Sequence, residues 1–144
     1  HNVAISHPDG RGLEDAMGNA LKDASVTPDQ IDYINAHAPS TPIGDASEMK
    51  ALNTVFAKVD PVKVSSTKAL TGHGLSLSSI MEAGFCCLAL REGFLPGSAN
   101  VQDVDPAIGR LDLLRESTDT GVSQIMSNSS GFGGANVSLV FGKA

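Results

Sequence analysis

Residues 75–91, LSLSSIMEAGFCCLALR, decide the fold of this chain. The apolar residues cover nearly the whole circumference of the predicted helix: Leu75, Leu77, Ile80, Met81, Ala83, Phe85, Cys86, Cys87, Leu88, Ala89 and Leu90. A soluble helix that is apolar all round must be buried all round. A chain of 144 residues can hardly cover it on two sides. We therefore expect this helix to lie between the chain's own sheet and a second sheet supplied by another polypeptide segment.

Outward from this helix, helical and strand patterns alternate. Helical periodicity predicts helices over residues 12–24 and 44–56, and Thr27-Pro28 predicts a brief helical turn. Alternating or short apolar runs predict strands over residues 31–36, 62–66, 111–116, 122–127 and 137–141, with a first strand in the opening residues 1–5. Strands that alternate with helices indicate an α/β sheet with mainly parallel pairs.

Composition excludes several classes of function. The formal charge of −6 and the scattered Lys and Arg residues argue against a nucleic-acid partner. The longest apolar run, 83–90, is too short for a membrane span, and the first residues show no signal peptide. Cys86 and Cys87 are adjacent and form no disulfide framework, which favours a reducing, cytoplasmic location. The absence of an initiator Met shows nothing by itself, but together with a first strand that is already under way it leads us to expect a piece of a longer protein.

Three segments carry candidate chemistry. They are residues 35–45 (NAHAPSTPIGD), 66–73 (STKALTGH) and 128–136 (NSSGFGGAN). The first two follow predicted strands, and the carboxyl ends of strands in an open α/β sheet are where ligands bind.

Taken one at a time, each segment has an ordinary structural interpretation. His37 is compatible with a hydrogen-bonded structural residue, Lys68 with a solvated charge and the glycines with a hairpin turn. The glycine segment is not a phosphate loop, because no Lys-Ser/Thr follows it. A zinc site from His37 and His73 lacks a third ligand at recognisable spacing, so we expect neither a metal nor a cofactor.

In this order and spacing, the three segments resemble the C-terminal half of β-ketoacyl-[acyl-carrier-protein] synthases, which are thiolase-like condensing enzymes. The resemblance covers all of residues 1–144, including 96–100 (PGSAN). It is closest to the elongating type, because the second motif ends in a TGH histidine. The resemblance implies half of a thiolase-like fold, with a five-stranded mixed sheet and helices on both faces.

The resemblance also implies roles for individual residues. His37 and His73 match the two active-site histidines that stabilise the oxyanion formed when a malonyl thioester loses CO2. Lys68 matches the active-site lysine and Glu82 the glutamate that pairs with it. A carboxylate on an otherwise apolar helix needs such a partner. Four further residues match the family. Phe132 matches the gating phenylalanine, and Gly131 and Gly133 match the glycines that flank it. Thr41 matches a threonine that contacts the pantetheine arm.

The nucleophilic cysteine of the family belongs to an N-terminal half that this sequence does not match. We expect Cys86 and Cys87 to be buried and inert, and the 144 residues alone to be inactive. Expected partners are that N-terminal half, an acyl carrier protein and a second copy in a homodimer. Pro39, Ser130 and residues 76–79 depart from the family pattern. These departures leave open a non-elongating, chain-length-factor-like partner subunit.

Overall fold

The computed structural model describes residues 8–143, so the strand expected over residues 1–5 lies outside the described residues. The first element is α1 (Arg11–Ala24), which buries Leu13, Met17 and Leu21 along one face at four-residue spacing. This agrees with the predicted helix within one residue. The helix begins after Gly10, whose φ of 75° lies in the left-handed region that glycine adopts without strain.

The remaining elements follow the predicted alternation with several changed boundaries. In chain order they are β1 (Tyr33–Asn35), α2 (Pro42–Val55), β2 (Lys63–Ser65), α3 (Lys68–Thr71), α4 (Ser78–Glu92), β3 (Phe94–Leu95), β4 (Asp112–Leu113), β5 (Thr118–Asp119), β6 (Gln124–Gly131) and β7 (Ala135–Gly142). Short 3-10 turns occur at Pro28–Gln30, Leu75–Leu77, Pro106–Ile108 and Phe132–Gly134.

Five strands form one mixed sheet in the order β4-β2-β1-β6-β7. The first four strands are parallel to their neighbours, while β6 and β7 form an antiparallel hairpin. The five-stranded mixed sheet predicted above is therefore confirmed. A separate two-stranded sheet, in which β3 pairs with β5, was not expected.

Helices cover both faces of the sheet. On one face, α1 and α2 pack over a core of Leu13, Met17, Leu21, Ile31, Ile34, Ala36, Ala51, Leu52, Phe56, Val62, Val64, Leu111 and Met126. On the other face, α4 and the sheet enclose a second core, which consists of Tyr33, Cys86, Ala89, Leu90, Leu95, Val122 and Ile125. Strands buried on both faces explain why the strand segments contain apolar residues at consecutive positions.

Several boundary predictions were wrong: the strand expected over 111–116, for example, covers only Asp112–Leu113. Three of the differences have a clear physical reason. The third helix begins at Ser78 and not at Leu75, because Leu75 has a φ of 51° and starts a 3-10 turn. The helix expected over 44–56 begins two residues earlier, at Pro42, since the fixed φ of proline suits a first helical position. The strand expected over 122–127 extends to Gly131 because the hairpin pairs it with β7 along its whole length.

Only one face of α4 is covered by the part of the chain that the structure describes. Its inner face buries Ser78, Glu82, Cys86, Ala89 and Leu90. Its outer face leaves Ile80 65% exposed and Leu88 41% exposed. Cys87, which we expected to be buried, is exposed on this helix. The sequence-based expectation that this chain cannot cover the helix on both sides is therefore met.

Two glycines at and within α1 give opposite predictions for stability. In Gly10→Ala the new Cβ would lie 2.6 Å from the Ser47 carbonyl oxygen, at a positive φ. We expect a loss of about 2 kcal/mol or more in the free energy of unfolding. The matched control is Gly18→Ala, where a Cβ meets no atom within 4 Å. This exposed helical position should gain up to about 1 kcal/mol. Urea unfolding measures both changes, and an unchanged stability in Gly10→Ala contradicts the fold around α1.

Candidate functional site

The candidate residues gather where three neighbouring parallel strands end. His37 follows β1 by two residues, Lys68 follows β2 by three, and Phe132 comes directly after β6. Strand β1 lies between β2 and β6, and all three run in the same direction. Their carboxyl ends therefore share one edge of the sheet, which is where ligands bind in open α/β folds.

The backbone after β1 is held by a buried carboxylate from α2. Glu48 Oε1 accepts a hydrogen bond from the backbone N–H of His37 at 3.0 Å, and Oε2 accepts one from Ala38 at 2.8 Å. The side-chain amide of Asn128, on β6, donates to Oε1 at 3.4 Å. Burial raises the pKa of Glu48, while these hydrogen bonds oppose the rise. Sequence reasoning missed Glu48, although an acidic residue next to the predicted inner face of this helix was a usable signal.

The His37 ring is buried and neutral. Burial above all, together with the nearby charges of Lys68 and His73, lowers its pKa to about 4. The ring meets that of His73 edge to face, with centroids 5.3 Å apart. Within residues 8–143 its Nδ1 atom has no hydrogen-bond partner. The two expected histidines therefore lie side by side.

Lys68 and Glu82 form an ion pair inside the protein. The Lys68 ammonium contacts Glu82 Oε1, and their side chains are only 5% and 2% exposed. Burial raises the pKa of Glu82, and the hydrogen bond and charge of Lys68 oppose that rise. The charge of His73 also acts on Glu82, so the pair lies near the second histidine. The pairing expected from the sequence is present.

His73 is held by a residue that sequence reasoning had noted only as a departure. Its Nδ1 atom lies 2.9 Å from the hydroxyl oxygen of Ser78, the first residue of α4. Ser78 is buried, whereas His73 and the residues between the two are exposed. The sequence signal was the three serines within residues 76–79. Composition alone does not show which of these serines contacts the ring.

The hairpin tip after β6 places Phe132 in the open. Its side chain is 79% exposed. Gly133 and Gly134 adopt φ values of 76° and 82°, which close the turn, whereas Gly131 is extended. Asn136, on β7, closes the hairpin by accepting a hydrogen bond from the Ser130 hydroxyl at 2.9 Å. Ser130, one of the departures from the family pattern, therefore supports the hairpin.

Thr41 lies at the start of α2 and is exposed, and its backbone N–H donates to Asp45 Oδ1 at 3.2 Å. It lines a cavity of about 600 Å3 between α2 and the loop that follows β3. The walls of this cavity include Ala38 and Ser40 but neither histidine. Thr41 is thus on the same loop as His37 but faces a different space.

Among residues 8–143, no three His, Cys, Asp or Glu side chains are grouped so that they could hold a metal ion. In the same range, no helix combines the length and apolarity that crossing a bilayer requires. Burial raises the pKa of the Cys86 thiol to about 12, as expected for an inert cysteine.

The five-stranded mixed sheet, with two histidines and a buried ion pair at its carboxyl edge, has the fold of the thiolase-like ketosynthases. Residues 1–102 match the family model of the β-ketoacyl synthase C-terminal domain. The chain belongs to this family.

Individual relatives agree with this assignment. The chain is 44% identical to the mitochondrial 3-oxoacyl-[acyl-carrier-protein] synthase of Arabidopsis thaliana, over 98% of this chain and 32% of that protein. It is 40% identical to 3-oxoacyl-[acyl-carrier-protein] synthase 1 of Escherichia coli K12, over 94% and 32%. Among solved structures, the ishigamide ketosynthase/chain length factor superposes with a TM-score of 0.93 at 30% identity, covering 99% of this chain and 35% of that one. The chain spans about a third of the length of these relatives.

The ion pair predicts an asymmetry between single and double variants. Lys68→Met and Glu82→Leu each leave one buried charge without its partner, so each should lower the free energy of unfolding by roughly 3–5 kcal/mol. The double variant removes both charges and should be much less destabilised than the sum of the two. Urea unfolding of the three variants gives the coupling energy. Single variants as stable as the unchanged chain would show that the pair is not buried.

The pKa of His37 predicts an unusual titration. Its ring should take up a proton only near pH 4, whereas an ordinary histidine does so near 6.5. NMR of the ring protons, assigned with His37→Asn, measures this directly. Between these two values the unfolded chain holds a proton that the folded chain lacks, so His37 lowers stability as the pH falls. The unchanged chain should therefore lose stability relative to His37→Asn through this window, and a ring that titrates near 6.5 would contradict the buried geometry.

Proposed function

We propose that this chain forms the C-terminal half of the active site of an elongating β-ketoacyl-[acyl-carrier-protein] synthase. The observation that carries the proposal is the pair of histidine rings 5.3 Å apart at the carboxyl edge of the sheet. The ring of His37 is neutral there. Two neutral imidazoles can each donate one N–H and accept at the other nitrogen.

The proposed reaction is a decarboxylative Claisen condensation. The thioester oxygen of a malonyl group lies between the rings of His37 and His73, each of which donates an N–H to it. The bond to the carboxylate breaks, CO2 leaves, and the electron pair passes to the enolate, whose charge sits on that oxygen. Donors fixed where charge develops stabilise the transition state without reorganising. The enolate carbon then attacks an acyl thioester, a thiolate leaves, and the product is a β-ketoacyl thioester.

The other candidate residues surround this chemistry. Lys68, whose charge is paired with that of Glu82, sets the electrostatic potential near both histidines. Its effect on the pKa of His37 supports this role. Phe132 is the gate at the hairpin tip, where Gly131 and Gly133 give the loop freedom to approach the acyl group. Thr41 contacts the pantetheine arm; its exposed position on the His37 loop supports this role.

The proposal requires a nucleophilic cysteine from outside these residues. Cys86 is unsuited because burial raises its thiol pKa to about 12, and only the thiolate is nucleophilic. The cysteine would come from an N-terminal half that packs on the outer face of α4. That face exposes an apolar surface, which commonly marks an interaction site. The intact enzyme is proposed to be a homodimer.

The proposed acyl donor and extender partner is an acyl carrier protein, which the names of both relatives include. The two cysteines are free in the structure, which supports a reducing compartment such as the cytoplasm. A fatty-acid or a polyketide product would use the same step.

A second candidate is a chain-length-factor-like partner subunit. The match to a ketosynthase/chain length factor structure favours it, as do Pro39 and Ser130. The two histidines and the Lys68–Glu82 pair favour the enzyme instead, because a non-elongating subunit has no decarboxylation transition state to stabilise. Mass spectrometry of the intact protein after incubation with an acyl carrier protein separates the two. Acylation of a cysteine supports the enzyme, and its absence supports the partner subunit.

The test of the mechanism is the separate replacement of each histidine in the intact protein. His37→Ala and His73→Ala should each lower the rate of malonyl decarboxylation at least about 100-fold, because each removes one oxyanion donor. Acylation of the cysteine should survive, since neither ring is needed for that step. Lys50→Ala, on the exposed side of α2, is the control. Undiminished decarboxylation in both histidine variants would refute the proposed roles.

A further inference from the structure

The segment between His73 and α4 folds back on itself through one side-chain hydrogen bond. The 3-10 turn Leu75–Leu77, closed by a hydrogen bond from the Leu77 N–H to the Gly74 carbonyl at 3.0 Å, brings Ser78 under the histidine ring. Ser78 Oγ then lies 2.9 Å from His73 Nδ1. Ser78 is buried, whereas the His73 ring that it contacts is exposed.

We propose that Ser78 is a positioning residue for His73. Its hydroxyl donates to Nδ1 and so holds the ring in the tautomer that carries its proton on Nε2. The catalytic consequence rests on the proposed function, because that reaction needs His73 as a donor. The tautomer itself does not depend on the reaction.

The direction of the hydrogen bond follows from the surroundings of Ser78. If His73 donated from Nδ1, the hydroxyl hydrogen of Ser78 would need an acceptor of its own. Within residues 8–143, no acceptor other than His73 Nδ1 bonds to Ser78 Oγ. A buried donor without an acceptor is strongly unfavourable, whereas a hydroxyl oxygen with a spare lone pair is not. Donation by Ser78 therefore satisfies the buried hydrogen.

The experiment is NMR of the intact protein with 15N-labelled histidine. Two-bond 1H–15N correlation spectra distinguish the two neutral tautomers by the positions of the protonated and bare nitrogens. They are recorded at about pH 8, above the ordinary histidine pKa of roughly 6.5. The resonances of His73 are those that disappear in His73→Asn. We expect the Nε2–H pattern in the unchanged protein.

Three variants then test the role of the hydroxyl. Ser78→Ala should shift His73 towards a mixture of tautomers, because Nδ1 loses its donor. Ser78→Thr keeps the hydroxyl and should keep the Nε2–H pattern. Ser79→Ala, the exposed neighbour, is the matched control and should change nothing. An Nδ1–H pattern in the unchanged protein overturns the proposal, and this result does not require any variant to fold. An unaltered His73 pattern in a folded Ser78→Ala also overturns it.

A kinetic measurement separates this inference from the proposed function. In Ser78→Ala the kcat of malonyl decarboxylation should fall by about 3- to 10-fold with little change in KM, as expected for the loss of one neutral hydrogen bond. Ser78→Thr should restore kcat. A protein that shows the expected tautomers but never decarboxylates malonyl thioesters would refute the proposed function and leave the role of Ser78 in place. An active protein whose kcat is unaffected by Ser78→Ala would refute the positioning role alone.

Discussion

The buried ion pair between Lys68 and Glu82 fixes how α4 sits on the sheet. Glu82 lies on a helix face that is otherwise apolar, and its carboxylate is stable there only against a cation. Lys68 reaches it from the end of β2, so the pair ties α4 to the carboxyl edge of the sheet. Ser78 lies four residues before Glu82 and Cys86 four after, which places all three on one face. The rotation of α4 about its axis, and with it the position of His73, therefore depends on this contact.

The sequence was sufficient to predict the structure where the chemistry of a residue type allows few environments or partners. Apolar runs and helical spacing predicted an α/β sheet with mainly parallel pairs, and the lone carboxylate at Glu82 indicated that it needs a partner. The resemblance to the condensing enzymes supplied the five-stranded mixed sheet and the identity of that partner, Lys68. The sequence was insufficient where the partner is a backbone group or a small hydroxyl. Glu48 binds the N–H groups of His37 and Ala38, and every residue type offers an N–H at those positions. The Ser78 contact depends on a single turn, Leu75–Leu77, which the continuous helical pattern concealed.

The groups around His37 are arranged so that its ring stays neutral. Glu48 is the buried carboxylate nearest in the chain to His37, yet both of its oxygens are engaged by backbone N–H groups. An imidazole beside a free carboxylate would have a raised pKa. Here burial and the charge of Lys68 lower the pKa of His37 to about 4. The ring thus remains a neutral donor, which is the form that an oxyanion site built from imidazoles needs.

The two faces of α4 connect the site with the exposed apolar surface. The inner face carries Ser78 and Glu82, while the outer face exposes Ile80, and Leu77 in the preceding 3-10 turn is exposed as well. Under the proposed function, a segment that covered both Ile80 and Leu77 would also cover the turn between His73 and Ser78. It would remove water from around the His73 hydrogen bond, and hydrogen bonds strengthen as the local dielectric falls. Completing the hydrophobic layer and preorganising the second histidine would then be one structural event.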